Sequence, residues 1–288
     1  MKKSLVVLLI TLVALTLVVG CKKEPEAKKQ FTVTFDYAGG VYNSQSSDTD
    51  TVESGKTVSE PVFNPVKNKY TKFDCWTKKD GTKFDFENEK ITSDIILYAK
   101  YKELYSVGGK GEKGGWIIYD VDADNTADGG AGNDGLKSSA CGYRFLEASP
   151  SDFSTVVNKV NTYDLAWGAA IDEIATQTTL GSGVNNTKLM AESTKLNSFA
   201  KDVYGQTGVG GATDWFIPSK DELYLMYTVI GKKTEAGFTK GYYWSSSRNT
   251  LGSSSAYYLY FGGSSEPSTD SSGNYLSGTA RVRLVRVF

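Results

Sequence analysis

Histidine is absent from the 288 residues, and this absence excludes more function classes than any other feature of the sequence. Without histidine, no Ser-His or Cys-His catalytic pair can form, and no zinc site can use an imidazole ligand. The usual proton carrier near neutral pH is also missing. Cysteine is nearly as scarce, because only Cys21, Cys75 and Cys141 occur. Three well-separated cysteines give no pattern for a zinc or iron–sulfur site.

The remaining composition is that of a folded protein without an extreme of charge. Hydrophobic residues make up 40% of the chain and charged residues 23%, so global disorder is excluded. The length supports one large domain or two modest ones, each able to bury a core. The net charge of −1 gives no overall basic field that would attract nucleic acid.

The N-terminus is typical of an export signal. Two lysines precede an apolar run of 15 residues, 5–19, which is shorter than the ~20 residues that span a membrane. The pattern predicts a signal peptide over residues 1–20. The VVGC sequence ending at Cys21 resembles the lipobox of bacterial lipoproteins. That resemblance implies that Cys21 is acylated, becomes the mature N-terminus and makes membrane lipid a partner; the alternative is an uncleaved anchor helix with a chance cysteine.

The segment after the lipobox predicts how the protein is displayed. Residues 21–30 are charged and lack large apolar side chains, so they indicate a solvated tether. Lys22 stands where an aspartate would resemble an inner-membrane retention signal, which favours display at the outer membrane or cell surface. We therefore expect a lipid-anchored protein of the cell envelope. The other two cysteines favour buried or free thiols, although a Cys75–Cys141 bridge stays open.

Residues 31–102 predict a small β domain. Residues 31–37 (FTVTFDY) alternate apolar and polar side chains, which indicates a half-buried strand, and residues 91–101 close the segment with another strand pattern. The polar residues 43–55 favour loop and turn. The aromatic side chains are expected in the core, because a domain of this size needs their buried area.

Three segments in this domain carry a family resemblance. VTFDYAGG, YTKFDCW and FDFENEKITSDIILYAKY resemble one internalin B-repeat, also called the Listeria–Bacteroides repeat, across residues 31–101. The resemblance implies a β-grasp-like module of bacterial surface proteins that serves as a spacer or contact unit without catalysis. The family usually has glycine at the position of Cys75.

Residues 104–288 predict a larger α+β domain with about three helices. An apolar stripe predicts a helix over residues 149–160, and a second helix fits residues 187–204. The third begins after Ser219, which forms a capping-box pattern with Glu222. Ser219 followed by lysine could also form a Ser-Lys nucleophile pair, but adjacent helix positions do not face each other, so the cap is preferred.

Strand patterns surround these helices. Residues 116–119, 242–246 and 256–261 are rich in aromatic and β-branched side chains. In residues 280–288, Arg281 and Arg283 share one face, whereas Arg286 falls on the apolar face unless a bulge shifts the register.

A calcium loop is one interpretation of the acidic segment after residue 119. Its four candidate ligands are Asp120, Asp122, Asp124 and Asp128. Carboxylates at alternate positions suit Ca²⁺, but the bidentate glutamate of such loops is missing, so an exposed acidic loop is preferred and Ca²⁺ stays the only candidate cofactor. Glu266-Pro267-Ser268 approximates a lectin-type calcium triplet but lacks its amide.

The larger domain carries the second resemblance. GGWIIYD, DWFIPSKDELYLMY, YYWSSS and ARVRLVRVF are similar, in order and spacing, to the C-terminal domain of a collagen-like bacterial adhesin, a domain of unknown function. The resemblance covers nearly all of residues 105–288. It implies an α+β fold related to C-type lectins and formylglycine-generating enzymes, with irregular antiparallel strands, and the adhesin is linked to sulfated polysaccharide binding.

These features predict a surface adhesion module that binds a host or environmental polysaccharide. Aromatic platforms and guanidinium donors suit such recognition. The candidate ligand-binding residues are Trp244, Arg248, Tyr258, Arg281 and Arg283. The alternative for each is a place in the core or an internal ion pair.

Two other function classes compete with adhesion. The first is a structural cell-envelope protein with a protein partner. The second is an enzyme related to formylglycine-generating enzymes, but that chemistry needs reactive cysteines and this domain offers Cys141 alone. We therefore expect no catalytic residues, and no nucleic-acid partner.

Overall fold

The computed structural model describes residues 28–123, 142–157, 160–168, 174–196, 198–206, 208, 211–249, 255–262, 274–275 and 278–288. Across these residues the protein is mostly β-sheet, with two α-helices. The chain divides into two compact units, residues 1–102 and 103–288. The first unit encloses one hydrophobic cluster and the second unit encloses two among the described residues.

The first unit is built on a four-stranded sheet. Its strands are β1 (Gln30–Asp36), β2 (Ser47–Glu53), β3 (Thr71–Thr77) and β4 (Ile95–Glu103). They lie in the order β2-β1-β4-β3, with β1 antiparallel to β2 and parallel to β4. Phe31, Val33 and Phe35 are buried at alternate positions of β1, which confirms the strand that their spacing predicts.

The prediction of loop over residues 43–55 was wrong for Ser47–Glu53, which form β2. Only Val52 of this strand is buried, so the segment carries almost no hydrophobic signal. It is a strand because its backbone pairs with the edge of β1 along its whole length. The backbone N–H groups of Thr49 and Thr51 donate to the carboxylates of the preceding aspartates at 2.8 and 2.7 Å.

Cys75 lies in β3, where it is a buried free thiol. This confirms the expectation for Cys75, whereas Cys21 and Cys141 lie outside the described residues. Among the residues that the structure describes, the non-glycine residues with a left-handed backbone are Ala38, Asn43 and Ser44. Cys75 is not among them, so this position of the strand does not require glycine.

The second unit combines short sheets with two helices. Its strands are β5 (Trp116–Asp120), β6 (Phe145–Ala148), β7 (Thr155–Val157), β8 (Val160–Thr162), β9 (Leu165–Ala166), β10 (Gly241–Arg248), β11 (Ser255–Phe261), β12 (Asn274–Tyr275), β13 (Thr279–Ala280) and β14 (Val285–Val287). The sheet orders are β10-β11-β12, β14-β6-β5, β13-β9 and β7-β8, and all these pairs are antiparallel.

The helices are α1 (Gly183–Glu192) and α2 (Lys220–Ile230). The predicted cap of α2 is confirmed, because Ser219 and Glu222 form the complete capping box and Leu223, Met226 and Ile230 face the core. The Ser-Lys nucleophile pair has no support, since the Ser219 hydroxyl donates its hydrogen to the Thr179 carbonyl and accepts the Glu222 N–H of the cap.

Two of the three predicted helices differ from the structure. The predicted helix over residues 149–160 was wrong, because its β-branched runs form β7 and β8 instead. The helix predicted over 187–204 begins four residues earlier and ends at Glu192, since Ser193 adopts an extended backbone. A short 3₁₀ helix, Phe199–Asp202, then follows a Ser198 cap.

Candidate functional site

The hairpin of β10 and β11 carries most of the predicted ligand-binding residues. Tyr242 pairs with Tyr260, and Trp244 pairs with Tyr258. Because side chains alternate along a strand, these four rings share one face of the hairpin. Tyr243 lies on the opposite face and packs into the core beside α2.

Three of those rings form what we call the tyrosine cluster: Tyr242, Tyr258 and Tyr260. The Tyr242 ring meets Tyr258 edge-on at 4.5 Å between centroids and Tyr260 at 5.0 Å. Tyr242 is 48% exposed and the other two are half-buried. Edge-to-face contacts restrict the rings, so the cluster presents a pre-organised aromatic surface to solvent.

Trp244 lies beneath the cluster and is not accessible. It is fully buried, its ring meets Tyr258 at 5.7 Å, and its Nε1–H donates to the Leu165 carbonyl at 2.8 Å. The alternative that the sequence left open, a place in the core, therefore describes Trp244. Its role is to support Tyr258 from below.

Arg283 is likewise buried, at 0% exposure. Its guanidinium donates to the carbonyls of Ser149, Ala236 and Gly237 at 3.0–3.1 Å and pairs with Asp152 at 2.7 Å. Each nitrogen of the guanidinium therefore has an acceptor inside the protein. Arg283 joins two backbone segments, at residue 149 and at residues 236–237, and its guanidinium is turned into the protein.

Asp152 is the centre of a charge cluster that the sequence did not predict. Its carboxylate accepts hydrogen bonds from Arg283, from Arg281 Nη1 at 3.2 Å and from the Tyr243 hydroxyl at 2.9 Å. Burial, followed by the Asp152 charge, raises the pKa of Tyr243 to about 12. The Tyr243 hydroxyl therefore stays protonated and acts as a fixed donor to Asp152.

Arg281 is the more open of the two arginines at this centre, with its side chain 23% exposed. It also lies 4.0 Å from Asp164 and 5.6 Å from the centre of the Tyr163 ring. The backbones of Arg281 and Tyr243 form a parallel β-bridge, and both side chains donate hydrogen bonds to Asp152. Trp244 of β10 and its partner Tyr258 of β11 lie on the opposite face of the hairpin from Tyr243, so the structure does not bring the five predicted residues into one site.

Arg248 ends β10, away from the Asp152 centre. Its backbone N–H donates to the Thr176 hydroxyl at 2.7 Å, and the residue is half-buried. The pairing of β10 with β11 shifts register between Trp244 and Arg248. This irregularity separates Arg248 from the regular alternation that positions the tyrosine cluster.

Arg286 is buried as the strand pattern suggested, and it is neutralised there. It pairs with Glu147, which is directly opposite in β6, and with Asp214 and Glu112, at 2.9–3.1 Å. Burial alone would lower the pKa of Arg286, but the bonds to these carboxylates, Asp214 foremost, hold it above its ordinary value. The arginine is thus a permanent internal counter-ion.

The proposed calcium loop begins with a carboxylate that already has a partner. Both oxygens of Asp120 accept hydrogen bonds from Arg144, at 3.0 Å each, and this bond raises the pKa of Arg144. Asp122 lies within 3.9 Å of the same guanidinium. Asp124 and Asp128 lie outside the described residues, as do Glu266, Pro267 and Ser268. The described part of the chain contains no cluster of three His, Cys, Asp or Glu side chains arranged for a metal ion.

A second feature missed from the sequence is the full burial of Glu222. Its carboxylate accepts N–H bonds from Ser219, Gly181 and Gly183, and so joins the beginnings of α1 and α2. Burial raises the pKa of Glu222 to about 7 against these hydrogen bonds. The sequence revealed the cap of one helix; the contact with the other helix depends on residues about 40 positions away.

A family model identifies the first unit. Residues 31–100 match the Listeria-Bacteroides repeat domain. The repeat coincides with the four-stranded sheet, and it confirms the resemblance stated for that segment. No curated protein matches the chain. Within the described residues, no helix has the length and apolarity needed to cross a membrane.

Proposed function

We propose that this protein is a lipid-anchored module of the bacterial cell surface, whose second unit binds polysaccharide through the tyrosine cluster. The observation that carries the proposal is the edge-packed group of Tyr242, Tyr258 and Tyr260 on one face of β10 and β11. Partly exposed tyrosine rings offer an apolar face for a sugar ring and hydroxyl groups for its polar edge.

The fold offers further support for the proposal. In the first unit, β1 and β4, the first and last strands in sequence, are parallel neighbours in the sheet, which supports a β-grasp-like repeat. In the second unit, short irregular antiparallel sheets beside two helices support a domain like that of the collagen-like adhesin and the C-type lectins. The anchor would be an acylated Cys21.

Ligand binding is tested with a glycan array and the chain that begins at Lys22. We expect a defined set of glycans to bind, and Tyr242→Ala to weaken that binding at least tenfold, since aromatic anchors contribute on the order of 2 kcal/mol. Tyr204→Ala is the matched control, because Tyr204 is an exposed tyrosine of the same unit outside the cluster. Arg248→Ala and Arg281→Ala ask whether a guanidinium contributes.

The array is run with and without Ca²⁺, which tests the acidic loop at the same time. Equal loss of binding in Tyr242→Ala and Tyr204→Ala would overturn the assignment to the tyrosine cluster. If the folded protein binds no glycan on the array, polysaccharide binding is replaced by binding to a protein partner. Turnover of a substrate by the purified second unit would contradict the proposed binding function.

The anchor has its own test. Mass spectrometry of the membrane fraction should find residue 21 acylated and N-terminal. An unmodified Cys21 in a cytosolic fraction would disprove the anchor without affecting the array result.

A further inference from the structure

An apolar patch lies on the first unit, outside its core. We call it the valine–tyrosine patch, and it consists of Val41, Tyr42, Val62, Phe63 and Val66. Val62 is fully exposed, at 104%, and Val66 is 61% exposed. Phe63 also packs against the core of the same unit, whereas the other four side chains of the patch are not part of that core. Exposed apolar side chains brought together in this way mark an interaction site.

Backbone hydrogen bonds and ring stacking order the segments that form the patch. Val41 and Val66 exchange backbone hydrogen bonds of 2.8 and 2.9 Å. The Tyr42 and Phe63 rings stack with centroids 4.1 Å apart and planes 7° from parallel. Phe63 also meets the buried Tyr37 edge-on at 5.8 Å, so the surface rings rest on the core.

Tight turns lie on both sides of the first part of the patch. Asn43 and Ser44 have φ values of 49° and 64°, which close a two-residue turn between Tyr42 and Gln45. Ala38 has φ of 48°. Positive φ at both central residues is the regular geometry of a two-residue hairpin turn, and asparagine tolerates it well, so the turn holds Tyr42 in a defined place.

Lysines border the patch. Lys67 follows Val66 and places its ammonium 5.6 Å from the centre of the Tyr101 ring, and Lys69 lies two residues further on. Both are exposed. Aliphatic side chains, a tyrosine and flanking lysines together suit the headgroup boundary of a bilayer, where the lysines meet anionic phosphate groups.

The tether has the right length to allow this contact. Eight residues lie between Cys21 and Gln30, so the nine Cα–Cα steps give a reach of ~30 Å when extended. β1 is seven residues long, about 20 Å, and the patch follows its far end. The tether itself carries four lysines and two glutamates, so it too favours an anionic surface.

We propose that the valine–tyrosine patch inserts into the headgroup region of the anionic phospholipid membrane that carries the anchor, so that the repeat lies on the membrane. The proposal rests on the lipid anchor of the proposed function for its geometry. Its chemistry rests on the patch alone. The experiment therefore supplies the membrane tether independently of Cys21.

The chain beginning at Lys22 is tethered by an N-terminal polyhistidine tag to vesicles of phosphatidylcholine, phosphatidylglycerol and a nickel-chelating lipid. An environment-sensitive fluorophore is attached at Val62→Cys in a Cys141→Ser background, where the buried Cys75 is protected. The matched control carries the label at Thr49→Cys, an exposed position on β2. We expect a blue shift on vesicle binding at position 62 and none at position 49.

Two further arms make the outcome decisive. Val66→Asp should abolish the shift at position 62 while leaving the tethered fraction unchanged, and replacing phosphatidylglycerol with phosphatidylcholine should reduce the shift. An unshifted label at position 62 on tethered protein would overturn the proposal. A shift that appears without vesicles and grows with protein concentration would overturn it in favour of a second copy of this chain.

Discussion

Ser219 and Glu222 each accept a hydrogen bond from the other's backbone amide. The Ser219 N–H donates to Glu222 Oε2 at 2.7 Å, and the Glu222 N–H donates to Ser219 Oγ at 3.3 Å. Because the same carboxylate also accepts from Gly181 at 2.8 Å, the cap of α2 fixes the segment that leads into α1. This contact makes Glu222 the most testable stabilising residue of the second unit.

Glu222→Gln should lower the free energy of unfolding by about 1–3 kcal/mol. An amide nitrogen has no lone pair to offer, so at least one of the buried N–H donors would lose its acceptor. Urea denaturation measures the loss. Glu192→Gln is the control, because the Glu192 side chain is 57% exposed on α1; an equal change in both variants would contradict the role of the carboxylate.

The stability of the second unit should fall as pH rises toward neutrality. The pKa of Glu222 is about 7 in the folded protein against 4.5 ordinarily. The folded state therefore binds the proton more tightly between these values. This contribution is complete below 4.5 and is lost as pH rises through 7, with a total of about 3 kcal/mol. Urea midpoints of the wild type should decline across this window, and those of Glu222→Gln should decline less; parallel curves would disprove the linkage.

Asp152→Asn should cost about 3–5 kcal/mol, because it leaves the buried Arg283 guanidinium without its counter-ion. The Tyr243 hydroxyl would lose its charged acceptor at the same time. Asp164→Asn is the matched control, since Asp164 is 67% exposed and lies 4.0 Å from Arg281. Thermal unfolding should separate the two variants clearly. A similar small change in both would mean that the Asp152 centre does not hold the fold together.

Gly183→Ala should destabilise the protein, although alanine is the better helix former by about 1 kcal/mol. A Cβ at this first position of α1 would collide with the Glu222 carboxylate and lie 2.8 Å from the Ile217 carbonyl. Neither group can move without breaking the contact between the two helix starts. Differential scanning calorimetry decides the sign, and a raised melting temperature would refute the close approach.

Two local patterns in the sequence predicted local structure correctly. The capping box of α2 involves residues three positions apart, and the alternation in β1 lies within seven residues. Such signals are complete in a short window, so they can be recognised without tertiary information. The strand over Ser47–Glu53 gave no such signal, because its partner supplies the hydrogen bonds and its side chains face water.

The charged centres could not be predicted for a different reason. Asp152 is 129 residues from Arg281 along the chain, and nothing periodic links the two positions. The same apolar spacing that predicted a helix over residues 149–160 is satisfied by the hairpin of β7 and β8, since β-branched residues suit both patterns. Only the pairing of distant segments decides between them.

The β2 edge of the repeat has a consequence for contacts between copies of the chain. An edge strand normally invites another chain through its unpaired amides. On β2 the amides of Thr49 and Thr51 already point their hydrogens at aspartate carboxylates, which also repel an approaching acidic strand. At high local concentration, copies of the chain should therefore resist edge-to-edge strand pairing through β2 and the fibres that such pairing produces.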